Sequence, residues 1–344
     1  MIKVLVVDDS PFVRLALKKI LQTARDIEVV GEASNGREAV EKAKTLKPDV
    51  ITLDINMPVM DGLTALEEIK KVHPGGKVLM VSALTKEGAK ETIEALSKGA
   101  VDFITKPASY EELFKFKDEI IAKVKAVSKA SLGKVSVREA PPQVKREEFS
   151  RTPVVAIGVS TGGPQTLSYV LSRLPNDFPA PILIAIHMPD TFTETFARHL
   201  DSICGLTVKE AREGEVIKAG HIYISRGRIH MVVRGSPERA YLTYINDDRY
   251  IYKPSADLLL GSTAKVFGPN TIGVVMTGMG NDGSKGIVEV KRAGGVTVAE
   301  DPKTAILWAM PENAIKTGCV DYVVPKERMA DLFVKLVEGV RTQR

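Results

Sequence analysis

Short runs of β-branched and aliphatic residues alternate with amphipathic stretches along nearly the whole chain, and this alternation constrains the fold more than any other feature. In the first 125 residues the apolar runs are KVLVV (3–7), IEVVGEA (27–33), DVITLDI (49–55), KVLMVSA (77–83) and VDFIT (101–105). Helical stretches such as GREAVEKAKTL and AKETIEALSKG lie between them. Strands that alternate with helices of this length predict a parallel sheet covered on both faces, here a five-stranded (βα)5 unit. A last helix is expected from about Tyr110 to Lys129, where Leu113, Phe116, Ile120, Val124 and Val127 recur at helical spacing.

The pattern then stops. SKASLGKVSVREAPPQVKREEFSRT is polar, with a Pro-Pro pair and few large apolar residues. Residues 126–150 are read as the end of that helix and a linker. Order resumes at Pro153, and alternation returns through VVAIGV, APILIAIH, LTVKEA, TIGVVMT and VTVAED. A second α/β domain is expected over 151–344, with a mainly parallel doubly wound sheet. HIYIS, IHMVV and AYLTYI leave little room for helices between them and are expected to form a short antiparallel insertion.

Charge excludes one class of function. Residues 1–125 carry 20 Lys/Arg against 20 Asp/Glu, and residues 151–344 carry 23 against 20. Neither segment has the basic face that nucleic-acid binding leaves, so no nucleic-acid partner is expected. Cys204 and Cys319 are far apart and show no metal-type spacing. The opening MIKVLVVDDS reaches two aspartates too early for a signal peptide. No apolar run approaches the ~20 residues that a spanning helix needs. A cytoplasmic protein without membrane insertion is expected.

In the first segment Asp8 and Asp9 follow the first strand and Asp54 lies near the end of the third. The carboxyl ends of parallel strands share one edge, where ligands bind, so the three carboxylates converge. Like charges brought together repel unless a cation lies between them, and hard oxygen ligands suit Mg²⁺. Ser82 ends the fourth strand with a hydroxyl and Lys106 the fifth with an ammonium. These groups form a set that binds phosphoryl, and a carboxylate can itself accept one. Through VVDDS, LDINMPVMDG, MVSA and FITKP, residues 1–125 resemble a response-regulator receiver domain. The resemblance implies Asp54 as phosphoacceptor, with Asp8, Asp9, Asp54 and the Asn56 carbonyl as Mg²⁺ ligands. It also implies that Ser82 and Lys106 answer the phosphoryl group and that Phe103 stands where the family has a switching aromatic.

In the second domain VVAIGVSTGGPQTL places Ser160 in a G-x-S-x-G motif between a strand and a helix. A nucleophile, a phosphate-binding loop and a plain tight turn all fit this motif taken alone. No lysine is placed as in G-x-x-x-x-G-K-[ST], which counts against the phosphate loop. Among the five histidines, His187 closes the apolar run ILIAI, while His221 and His230 begin strand candidates and His199 sits in a helical stretch. Asp282 lies in a glycine-rich loop after TIGVVMT. Three strands thus bring Ser, His and Asp to one sheet edge, the composition of a triad in which Asp orients His and His takes the serine proton. The order Ser, His, Asp differs from the Ser, Asp, His order of α/β-hydrolases.

IGVSTGGPQTL, IHMPDTFTETFARHLD, GHIYIS, PSADLLLGS, TGMGNDGSKG and MPENAI resemble the catalytic domain of the chemotaxis methylesterases, the CheB family. The resemblance implies catalytic Ser160, His187 and Asp282, with oxyanion donors in the backbone N–H groups of Thr161 and Met279. It implies methyl-ester hydrolysis at glutamate side chains of methyl-accepting chemotaxis receptors, with deamidation of receptor glutamines as a second activity. A chemotaxis histidine kinase is the implied phosphodonor, the esterase step needs no cofactor, and the chain is expected to be a monomer.

Overall fold

The computed structural model describes residues 1–106, 116–131 and 149–341. The chain divides into two compact units, Met1–Leu132 and Gly133–Arg344. Most of the expected linker, and the part of the expected helix before Phe116, lie outside the described residues.

In the first unit the apolar runs become β1 (Ile2–Val7), β2 (Ile27–Ala33), β3 (Val50–Asp54), β4 (Lys77–Ala83) and β5 (Asp102–Lys106). Helices α1 (Pro11–Gln22), α2 (Gly36–Leu46), α3 (Gly62–Val72), α4 (Lys86–Ser97) and α5 (Lys117–Ser128) complete it. The strands pair in parallel in the order β2-β1-β3-β4-β5. Residues of β1, β3 and β4 are almost wholly buried, because helices cover both faces. The chain reverses direction in strand order between β1 and β3, which opens a crevice at their carboxyl ends. Helix starts are cut by side-chain caps: Asn35 accepts from the Glu38 N–H, Asp61 from Thr64 and Thr85 from Gly88.

The second unit is built on a seven-stranded parallel sheet. Its strands are β6 (Val154–Val159), β7 (Ile182–Ile186), β8 (Thr207–Glu210), β10 (His221–Ile224), β13 (Thr271–Val275), β14 (Val296–Glu300) and β15 (Tyr322–Val324). The order is β15-β14-β13-β6-β7-β10-β8. Helices α6 (Gly163–Leu171), α7 (Asp190–Ile203), α8 (Ala256–Phe267), α9 (Ser284–Arg292), α10 (Ala309–Lys316) and α11 (Lys326–Arg341) accompany it. A separate antiparallel sheet holds β9 (Glu215–Val216), β11 (His230–Arg234) and β12 (Tyr241–Ile245), in the order β11-β12-β9.

The insertion therefore differs from the expectation in one strand, with the two-residue β9 in the place expected for HIYIS. HIYIS does not join it; as β10 this run sits inside the parallel sheet between β7 and β8. Ile222, Tyr223 and Ile224 are buried, which a central strand of a covered sheet requires and a hairpin strand with one wet face does not.

Under β6, helix α8 buries Leu259, Leu260 and Ala264 against Val154, Ala156 and Val275. Each fully buried aliphatic side chain of this kind contributes about 1.5–3 kcal/mol. The close approach depends on Gly158, where a Cβ would fall 2.4 Å from the Ala256 Cβ. Gly158→Ala is expected to push the start of α8 away from β6 and cost about 1–3 kcal/mol. Urea unfolding checks this, and an unchanged midpoint would show that α8 moves aside freely.

Candidate active site

The second unit reverses its strand order around β6, with β7 on one side and β13 on the other, so a crevice forms at their carboxyl ends. Ser160 follows β6, His187 follows β7 and Asp282 follows β13. Ser160 begins the turn into α6: its carbonyl accepts from Gly163 at 2.7 Å and its N–H donates to the Thr277 carbonyl at 3.0 Å. Gly162 takes a left-handed conformation at φ 76°, and a Cβ there would meet Ile306 at 2.7 Å, so the second glycine of the motif is required for the turn.

His187 Nε2 donates to Asp282 Oδ2 at 2.8 Å. Its other nitrogen, Nδ1, is buried and has no hydrogen-bond partner, so no Ser160–His187 bond is formed. With the proton held on Nε2 by the carboxylate, Nδ1 carries the lone pair. The Tyr252 ring stacks flat on the imidazole, with centroids 4.8 Å and planes 4° apart.

Asp282 is 4% exposed and is surrounded by donors. The N–H of Ala256 reaches Oδ2 at 2.7 Å, while Asp257 N–H at 3.0 Å, Ser255 Oγ at 3.0 Å and Gly283 N–H at 3.1 Å reach Oδ1. The N-terminus of α8 thus points at the carboxylate, where the helix dipole and free N–H groups favour negative charge. Burial pushes the acid up, but His187 and these backbone donors outweigh it and hold the carboxyl below its ordinary value. Behind Ser255 lies His230, wholly buried. Its Nδ1 accepts the Ser255 N–H at 3.1 Å, and Nε2 donates to the Asp247 carbonyl at 3.1 Å. Burial lowers its pKa, in keeping with this neutral tautomer.

In the first unit Asp8, Asp9 and Asp54 offer carboxylate oxygens all within 4.8 Å of one another. Lys106 Nζ donates to Asp54 Oδ2 at 2.9 Å and to Asp8 Oδ1 at 3.1 Å. One ammonium does not balance three carboxylates. Burial, then the Asp54 charge, push Asp8 up to about 6 against the pull of Lys106, and burial raises Asp54 as well. Two buried acids, Asp8 and Asp54, and an exposed third, Asp9, make an under-compensated oxygen set that fits a hard divalent cation. Asn56 is exposed, its side-chain amide donating to Glu91 at 3.0 Å. Ser82 is buried and its hydroxyl donates to the Gly88 carbonyl at 3.1 Å, while Phe103 is buried in β5. Thr161 is buried and Met279 half-buried, both in loops beside Ser160.

Residues 155–333 match the family model described as CheB methylesterase, and residues 4–116 match that of the response regulator receiver domain. A protein of Pyrococcus horikoshii named protein-glutamate methylesterase/protein-glutamine glutaminase is 46% identical over 99% of this chain and 95% of its own. The chain belongs to the CheB methylesterase family. A protein of the same name from Thermotoga maritima is 43% identical over 98% of each chain. The crystal structure of the Thermotoga maritima CheB methylesterase catalytic domain matches with a TM-score of 0.53 and 39% identity, over 54% of this chain and 100% of that one.

Sequence reasoning marked Ser160, His187 and Asp282 but missed Ser255, Ala256, His230 and Tyr252, which surround the acid and the imidazole in this CheB-family chain. A serine ahead of the helical run ADLLL is a readable helix start. That signal says where α8 begins, and nothing about the carboxylate its N-terminus meets.

The acidic corner makes a prediction with a definite sign. Asp8 has a folded pKa above its unfolded value, so the unfolded state ionises first as pH rises and the folded state loses stability between about pH 4 and its folded value of about 6. In the absence of divalent cations the receiver unit should be less stable at pH 7.5 than at pH 5 by on the order of 1–3 kcal/mol. Mg²⁺ added at pH 7.5 should recover that loss. Thermal melts that show no pH difference without metal would remove this account of the corner.

Proposed function

We propose that the chain hydrolyses methyl esters of glutamate side chains on methyl-accepting chemotaxis receptors, and deamidates receptor glutamines, with Ser160, His187 and Asp282 as the catalytic groups. The observation that carries this reading is the part-buried His187–Asp282 bond at the strand-end crevice that also holds Ser160. Ser160 Oγ attacks the γ-carbonyl and His187 takes its proton, with Nδ1 as the accepting atom. The same nitrogen returns the proton to the departing methoxy oxygen, giving methanol, or to the departing amide nitrogen of a glutamine, giving ammonia. Water then attacks the acyl carbonyl and gives one proton to His187, which passes it to Ser160 Oγ as the acyl–oxygen bond breaks and the glutamate leaves. Asp282 stays ionised throughout, keeps the proton on Nε2 and stabilises the imidazolium. The N–H groups of Thr161 and Met279 are the proposed donors to the tetrahedral oxyanion.

The receiver supplies control. Asp54 is the proposed phosphoacceptor, and a chemotaxis histidine kinase the phosphodonor. Asp8, Asp9, Asp54 and the Asn56 carbonyl would hold Mg²⁺, which supplies charge neutralisation for phosphoryl transfer. Lys106, already bonded to Asp54, would follow the phosphoryl group, with Ser82 and Phe103 responding. In this reading the unphosphorylated receiver restrains the esterase, and the enzyme works as a cytoplasmic monomer. No helix among the described residues is long and apolar enough to cross a membrane.

Methanol release from methylated receptor tests the nucleophile. Ser160→Ala should abolish it with the fold intact, and His187→Ala should come close, because members of a triad act as a unit. Normal release by Ser160→Ala would end the assignment, and substantial release by His187→Ala would mean that the serine is activated without this base, because His230 is buried with both ring nitrogens bonded and His221 opens β10 at the opposite edge of the sheet.

Control is tested separately. Removing residues 1–150 should raise basal activity without phosphodonor; the related catalytic domain solved alone makes such a fragment practicable. Asp54→Ala should keep basal turnover and lose the response to phosphodonor. A truncated enzyme no faster than the unphosphorylated full chain would mean that restraint by the receiver is not the mechanism.

A further inference from the structure

Glu300, the last residue of β14, has no exposed surface. Its Oε2 accepts the N–H of Thr277 at 2.8 Å. Thr277 stands just beyond β13 and is itself wholly buried. Its carbonyl accepts the Ser160 N–H at 3.0 Å, and its hydroxyl donates to the Thr161 carbonyl at 2.9 Å. The same hydroxyl accepts the Leu307 N–H at 2.9 Å, and the next residue, Gly278, donates to the Leu307 carbonyl at 2.8 Å. Thr277 is thus tied on both of its peptide planes. One tie is Glu300, and the other is the backbone of the serine itself.

We propose that Glu300 is a positioning residue that holds the Ser160–Thr161 backbone and the Thr277–Met279 loop in register by accepting the Thr277 N–H. This rests on the reading of Ser160 as nucleophile, and it adds a residue that touches neither the serine nor the substrate. The register of these two loops matters because the attacking oxygen and the proposed donor Thr161 sit on one of them and the proposed donor Met279 on the other. A misplacement of the order of 1 Å at such a site costs ~10²-fold in rate.

The carboxyl works here as a hydrogen-bond acceptor more than as a charge. Burial pushes it up to about 7, against the Thr277 N–H and the Lys326 ammonium, with Glu327 adding to the rise and the Thr304 hydroxyl opposing it. Burial thus favours its neutral form as pH falls below neutrality, and an amide of the same length can take its place as acceptor. A side chain of similar length without an acceptor cannot, and it leaves a buried N–H unpaired.

The test uses the full-length chain, with methanol release normalised to sites that an active-site serine probe labels to completion. Glu300→Gln should keep kcat within ~3-fold of wild type. Glu300→Met should lower kcat ~10-fold or more with KM unchanged. If the Met variant does not fold, Glu300→Asp, which draws the acceptor back by one methylene, should show the same loss. A Met or Asp variant with wild-type kcat per labelled site overturns the proposal, since Glu300 would then support only the fold. A Gln variant that falls as far as Met also overturns it, because the charge and not the acceptor would be at work. Ser160→Ala run in parallel separates the two readings: if it retains activity, the nucleophile assignment fails, whatever Glu300 does.

Discussion

The arrangement of the catalytic unit turns on one buried carboxylate. Asp282 is nearly inaccessible to water, and an ionised acid in such a place is costly unless donors replace the water it has lost. The donors come from the first residues of α8, from Ser255 just before it, and from His187 across the crevice. To deliver them, α8 has to start directly against β6, and the glycine at 158 permits that contact. The packing of the core and the ionisation of the acid are therefore one problem with one solution. A shift of α8 by a fraction of an ångström would loosen both.

That solution also decides the role of each nitrogen of His187. With Oδ2 taken up by Nε2–H, the imidazole is left with Nδ1 as its basic atom, on the side away from the acid. Tyr252 lies flat on the ring and limits its rotation about that bond. The serine is held from another direction, through Thr277 and the α6 turn. His187 and Ser160 are thus supported by separate loops and meet only at the crevice, and no hydrogen bond joins them. Hydrogen bonds between catalytic groups are often made only once a substrate closes the site.

Much of this was legible in the sequence, and the limit of legibility has a physical cause. Runs such as KVLVV and VVAIGV report burial on both faces, and their alternation with helices fixes a parallel sheet. Once the sheet is parallel, residues just past strand ends share an edge, which is why Ser160, His187 and Asp282 could be grouped without coordinates. HIYIS was misplaced because the short spacing to IHMVV looks like a hairpin, while β10 actually pairs with β7 and β8. Periodicity encodes which face of an element is buried, but not which distant strand lies beside it. The same gap hid Glu300 and His230. A single polar residue in an apolar run shows that something must satisfy it, and the partner is named only by the tertiary structure.

The two carboxylate sites in this chain use opposite electrostatics for opposite ends. Asp282 has more donors than burial takes from it, so its acid is held down and its charge does not change. Asp8 and Asp54 share a single ammonium, so burial wins and both are held up. A carboxylate whose duty is to orient a neighbour works best when its own protonation is fixed. In the proposed role of Asp8 and Asp54, receiving a cation and a phosphoryl group, a poorly satisfied charge is the better arrangement, because an arriving positive charge then finds a site prepared for it. The same strand-end geometry serves both cases. What differs is the element that follows: in one unit a helix N-terminus is aimed at the acid, and in the other the acids are left facing one another with one lysine between them.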